Sequence, residues 1–207
     1  MTRERICERL VAQRVVPVLR LASAAQTREA VGCLHEAGFR VFEITMTTPG
    51  AVDLVGELAA RLADSVIGAG TVLDIDAGRR CLDAGAQFLV APCMVAGLPA
   101  LAHEAGRAAL VGGITPSEVL AAHREGADIV KVFPASTGGP AHLGALHAVF
   151  PEIRLCPTGG VTAANMNEYF KAGAALVGVG NNIVDVPALA RGDRAAVIAH
   201  AKRFLET

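Results

Sequence analysis

The chain has 207 residues, a length that suits one domain and sits at the short end for an eight-stranded α/β barrel. Hydrophobic residues make up 52% of it and charged residues 19%, which excludes a disordered chain and permits a large core. Lys and Arg number 19 against 20 Asp and Glu, so no charge excess marks the chain for nucleic acid or an anionic membrane.

The five cysteines (Cys7, Cys33, Cys81, Cys93, Cys156) are odd in number, widely spread and form no C-x-x-C pair. That pattern argues for a reducing compartment and against a disulfide framework or a thiolate zinc site. The first fourteen residues, MTRERICERLVAQR, are charged and amphipathic, without the apolar centre of a signal peptide. No apolar run approaches the roughly 18–20 residues that span a bilayer. A soluble, cytoplasmic protein is expected.

In chain order, the amphipathic start predicts a short N-terminal helix. Eight apolar runs then predict strands at 15–20, 41–45, 66–71, 88–92, 109–114, 129–134, 154–159 and 176–180. Several are apolar on both faces, as parallel strands covered by helices should be. Between them recurs a small signature of polar residues, usually Ala, then Gly: HEAGF, LDAGA, HEAGR, REGAD and KAGAA. Glycine suits the left-handed position that ends a helix, so Gly38, Gly85, Gly106, Gly126 and Gly173 each predict a helix end. Ser23, Asp74, Thr115 and Thr162 predict helix starts. Eight even βα units, with no G-x-G-x-x-G after the first strand, favour a closed (β/α)₈ TIM barrel over a doubly wound sheet. No linker divides the chain, so residues 1–207 read as one domain.

Lys131 lies within IVKVFP, an apolar strand in which Ile129, Lys131 and Phe133 share one face. Desolvation disfavours an ammonium group against the free amine, the form that attacks a carbonyl to give a Schiff base. Glu43 is likewise an acid inside an apolar strand, VFEITM. The two strands are the second and sixth, which in a barrel contribute to one interior and meet across its centre. A carboxylate facing that lysine is placed to shuttle protons. A structural ion pair is the competing explanation, but such buried pairs are seldom net stabilising.

CPTGGVTAAN and VGVGNN place glycine-rich turns after strands seven and eight, the usual phosphate site of a barrel. Thr158, Gly159, Gly160, Gly180 and Asn181 are the candidate phosphate residues. His35, His103, His123, His142, His147 and His200 fall mostly in predicted helices without metal-motif spacing, so neither a metal nor a cofactor is expected.

VVPVLR, FEITMTTP, IGAGTV, AQFLVAP, IVKVFPA, CPTGGV and VGVG together resemble the KDPG/KHG aldolases, a class I family that cleaves 2-keto-3-deoxy-6-phosphogluconate and 4-hydroxy-2-oxoglutarate. The resemblance runs nearly the whole chain. It implies a TIM barrel, a homotrimer, and cleavage of a small 2-keto acid to pyruvate and an aldehyde, glyceraldehyde 3-phosphate for the phosphorylated substrate. It also implies Lys131 as the Schiff-base lysine and Glu43 as the proton shuttle. Thr71 and Pro92 would line the pyruvate pocket, Phe133 would pack against it, and the glycine turns would hold phosphate.

Three positions depart from that pattern. Many relatives carry a carboxylate-clamping arginine where this chain has Thr47, and Arg20 at the end of strand one is expected to supply the missing cation. Asn181 stands where relatives often have serine, and its amide is expected to donate to phosphate. A common Pro-Gly after strand five is Val111-Gly112 here. Two rival readings follow from the residues alone: a phosphate-binding barrel of isomerase type in which Lys131 only binds charge, and a catalytically silent barrel that binds sugar acids.

Overall fold

Each apolar run folds into a strand because its residues are covered on both faces. In the computed structural model, which describes residues 1–206, the strands are β1 (Val15–Leu19), β2 (Val41–Thr45), β3 (Val66–Gly70), β4 (Phe88–Val90), β5 (Ala108–Gly112), β6 (Ile129–Val132), β7 (Leu155–Pro157) and β8 (Val177–Val179). Every residue of these strands is buried. Parallel pairing runs from β7 through β6, β5, β4, β3, β2 and β1 to β8. Two isolated bridges, Leu155 to Ala174 and Thr158 to Gly178, draw β7 to β8 and close the ring. The result is a (β/α)₈ barrel, as the even repeat implied.

The helices are α1 (Arg3–Gln13), α2 (Ala24–Ala37), α3 (Ala51–Arg61), α4 (Ile75–Ala84), α5 (Leu98–Glu104), α6 (Pro116–Arg124), α7 (Gly139–Val149), α8 (Met166–Lys171), α9 (Val186–Ala190) and α10 (Arg194–Lys202). None is long and apolar enough to cross a membrane among the described residues. Ser23, Asp74 and Thr115 accept hydrogen bonds from the first turns of α2, α4 and α6. Thr115 and Glu118 form a reciprocal capping box, which satisfies donors the helix itself leaves open. Thr162 caps nothing. Asn165 accepts its N–H at 2.8 Å, and that turn delays α8 to Met166. The five signature glycines take φ between 68° and 122° just beyond α2, α4, α5, α6 and α8.

Two apolar cores result. Outward strand residues such as Leu19, Phe42, Ile44 and Leu89 pack under the helices. Inward residues form a second core with Val16, Val41, Val66, Phe88, Ile129 and Leu176, and Ile6, Cys7 and Leu10 of α1 plug its N-terminal end. All the strands but β2, which ends at Thr45 as predicted, stop short of the predicted ends at their C-terminal tips. Thr71, with φ 59°, and Gly159 and Gly160, with φ 89° and 83°, enter the left-handed region, which a strand cannot use. Those tips build the opposite end of the barrel.

Candidate active site

Alternation along β6 turns Ile129 and Lys131 inward, and alternation along β2 does the same for Val41, Glu43 and Thr45. Lys131 Nζ lies 3.2 Å from Glu43 Oε1, and both side chains are buried, with 6% and 4% exposure. Glycines make the room. A Cβ on Gly70 would sit 2.0 Å from Glu43 Oε1, and one on Gly112, beside Lys131 in register, would meet the Pro92 carbonyl at 2.1 Å. Gly112 thus lets the chain after β4 pass close beside the lysine. Cys156 faces the lysine from β7, and burial pushes its thiol up to about 11.

Above the pair opens a cavity of about 250 Å³. Lys131 reaches its floor. Its wall holds Arg20, Thr71, Pro92, Phe133, Thr158, Gly159, Gly160, Gly180 and Asn181, so residues spread over most of the chain converge. Glu43 lies beneath, reached through the lysine. Thr47 is not brought in: it is exposed in the loop after β2, beside a separate groove, with its hydroxyl 2.9 Å from that of Thr45. Val18 and Asn182 also line the cavity. Neither carries a chemical signal in the sequence, although Val18 follows from the alternation that turns Val16 inward.

The mouth is organised by Arg20. Its guanidinium donates to Thr71 Oγ1 at 3.3 Å. Thr71 is a β-branched residue held at φ 59°, a strained backbone state that persists where the surroundings impose it and that clusters at functional sites. The amide of Asn181 bonds the main chain of Arg20. Its Oδ1 accepts from Arg20 N at 3.2 Å and its Nδ2 donates to Arg20 O at 2.7 Å. The second Nδ2 hydrogen is still a donor. Gly159, Gly160 and Gly180 line the cavity here with main chain alone.

Two larger cavities, of about 460 and 480 Å³, lie around α1 at the other end. In one of them Cys7 sits beside Asp128, and burial, with that carboxylate, pushes its thiol up to about 12, away from the thiolate a nucleophile needs. The rings of His35 and His103 lie within hydrogen-bond distance, 3.0 Å, of the Asp64 and Asp128 carboxylates. Among the described residues no three His, Cys, Asp or Glu side chains gather to hold a metal ion.

Residues 6–200 match the family model described as KDPG and KHG aldolase. The KHG/KDPG aldolase of Escherichia coli strain K12 is 34% identical over 194 residues, covering 93% of this chain and 91% of the relative. A crystal structure of KDPG aldolase from Legionella pneumophila, with pyruvate captured as a covalent carbinolamine intermediate, superposes with a TM-score of 0.87 at 28% identity, covering 95% and 96% of the two chains. A cube-shaped, highly porous cage designed by fusing symmetric oligomeric domains superposes with a TM-score of 0.83 at 27% identity, covering 93% of this chain and 70% of that one. With a matching model over nearly its whole length and relatives of the same length and fold, the chain belongs to the KDPG and KHG aldolase family.

Proposed function

We propose that Lys131 is the Schiff-base nucleophile of a class I aldolase and that Glu43 moves the protons of its reaction. Family membership makes the chain an aldolase, a carbon–carbon lyase. The observation that carries the residue roles is the buried pair, Nζ to Oε1 at 3.2 Å, at the floor of a cavity rimmed by an arginine and two glycine turns. A lysine and a carboxylate removed from water in contact are positioned for nucleophilic and acid–base work on one substrate.

The free amine of Lys131 attacks the C2 carbonyl of a 4-hydroxy-2-keto acid and gives a carbinolamine. Glu43 donates a proton to the departing hydroxyl, water leaves, and an iminium forms. The carboxylate then takes the proton of the C4 hydroxyl, directly or through water. The C3–C4 electron pair moves into the iminium, the aldehyde departs, and an enamine remains. Protonation at C3 and hydrolysis release pyruvate and restore the amine.

Arg20 meets the carboxylate of the keto acid, Thr71 and Pro92 line the pyruvate portion, and Phe133 packs against it, its ring centroid 5.9 Å from Nζ. Main-chain N–H groups at Gly159, Gly160 and the Gly180–Asn181 turn, beside Thr158, hold a phosphate through oriented dipoles. Thr47 takes no part. The preferred substrate in this reading is 2-dehydro-3-deoxy-6-phosphogluconate, giving pyruvate and glyceraldehyde 3-phosphate. 4-Hydroxy-2-oxoglutarate, giving pyruvate and glyoxylate, is a second substrate. No cofactor enters. Residues 1–207 act as one domain, in a homotrimer in the cytoplasm; the likeness to a cage of symmetric oligomeric domains and the five free cysteines support that assignment.

The test is intact mass after borohydride reduction with pyruvate, wild type beside Lys131→Met. A pyruvate-sized adduct on wild type alone is expected. Folded wild type without an adduct would overturn the Schiff-base reading and favour a barrel in which Lys131 only binds charge.

A further inference from the structure

Parallel pairing between β1 and β8 ends at Pro17 and Val179. Proline has no N–H to donate, so the ladder has no ordinary way to continue from that residue. Three residues beyond Pro17, at Arg20, the side chain of Asn181 takes over. A carboxamide carries the same C=O and N–H as a peptide unit, and here both ends meet the main chain of Arg20, at 3.2 Å to its N and 2.7 Å from its O. The side chain thus acts as a surrogate rung joining the tips of two strands at the mouth.

We infer that Asn181 is a positioning residue: its side chain holds Arg20 over the cavity for the substrate carboxylate, and it is not a side-chain ligand for phosphate. The inference rests on the Schiff-base reading of the cavity. Arg20 is exposed, and a long exposed side chain loses its rotamer freedom only where something fixes it. Two contacts do so. Asn181 anchors the backbone on the β8 side, and Thr71 accepts from the guanidinium on the β3 side, so the arginine bridges the mouth. A bridged guanidinium presents its remaining donors in a fixed fork, the geometry a carboxylate takes up in bidentate fashion. Phosphate recognition falls to main-chain N–H groups, which no side-chain replacement at Asn181 removes.

Pyruvate separates these roles because it has the carboxylate and lacks the phosphate. Borohydride trapping is titrated with pyruvate on wild type, Asn181→Ala, Arg20→Ala and the double variant, and the half-saturating concentration is read by intact mass. Each single variant is expected to raise it about ten-fold, roughly 1.4 kcal/mol. The double variant is expected to match Arg20→Ala, since residues acting through one contact are not additive. The ratio of kcat/KM for the phosphorylated and unphosphorylated keto acids stays within about two-fold of wild type in Asn181→Ala, because the cradle is main chain. Asn181→Ser, too short to reach both groups, gives the same direction should the alanine variant fold poorly.

Unchanged half-saturation in Asn181→Ala, additive penalties in the double variant, or a loss confined to the phosphorylated substrate would each overturn the inference while leaving the Schiff base in place. Absence of any adduct on wild type would overturn the Schiff-base reading and this inference with it.

Discussion

The two ends of the barrel are built from the same eight strands and differ in almost everything else. At the N-terminal end the inward residues are Val16, Val41, Val66, Phe88 and Ile129, sealed by Ile6 and Leu10 of α1. Two residues further along β2 and β6 the inward positions are Glu43 and Lys131, and beyond them the strands break into strained or glycine-rich turns. One end maximises apolar burial, which stabilises by about 25 cal/mol per Å². The other buries charge, which stabilises little or not at all. Stability and chemistry are thus separated along the barrel axis, as the architecture permits.

The hardest way to break that separation is to remove the lysine. Lys131→Met is expected to lower aldol cleavage by on the order of 10⁴-fold or more, measured as pyruvate release. It should also destabilise by about 3–5 kcal/mol in urea, because Glu43 is left buried without its partner. Lys131→Met/Glu43→Leu is then expected to recover that stability, or exceed wild type by up to about 4 kcal/mol, while staying inactive. A double variant less stable than the single one would show that the pair holds the fold together, and the contrast between the ends would fail.

The converse change acts on the plug. Leu10→Ala removes a fully buried side chain from the sealed end and is expected to cost about 2–5 kcal/mol, read as a lower urea midpoint at unchanged m. Activity per folded molecule should stay at the wild-type value. A fall in kcat with folding intact would mean that the plug also shapes the mouth.

Gly70→Ala sharpens the comparison at atomic scale. The added Cβ would sit 2.0 Å from Glu43 Oε1, so the carboxylate must move away from the lysine. A misplacement of about 1 Å near the reacting atoms is expected to lower kcat by roughly 10²-fold, with a smaller effect on KM. Unchanged kcat would remove Glu43 from the proton-transfer role.

The same separation explains what the sequence made legible. The barrel and its sealed end are encoded locally: apolar runs for strands, Ser23, Asp74 and Thr115 for helix starts, and glycines for helix ends all act within a few residues. Lys131 and Glu43 stood out because a charge inside an apolar strand needs a reason. The mouth was read less well because its geometry is tertiary. That Thr71 turns left-handed, that Thr47 lies beside a separate groove and that the Asn181 amide bonds the Arg20 main chain depend on residues far apart in the chain. Thr162 missed as a cap for a nearer reason, since the helix begins at Met166 with Asn165 in the cap position.

The smallest expected effect probes how dry the interior is between the two ends. Cys156 faces Lys131 from β7, and burial raises its thiol from the ordinary value of 9.0 to about 11, against the opposing pull of Lys131. The folded pKa is the higher one, so the unfolded chain releases this proton first as pH rises. Stability from the group is therefore complete below pH 9 and is lost between pH 9 and pH 11. By pH 10.5 the loss is expected to be on the order of 1–2 kcal/mol from this thiol, visible as a denaturant midpoint whose alkaline slope flattens in Cys156→Ala. Iodoacetamide at pH 8 offers a direct check, because Cys93 is exposed beside the mouth while Cys156 is buried. The native protein should take label at Cys93 and spare Cys156 until it unfolds. Equal labelling of the two thiols would mean that water reaches the level of the lysine, and the carboxylate and amine there would then lack the desolvated surroundings on which their proposed chemistry depends.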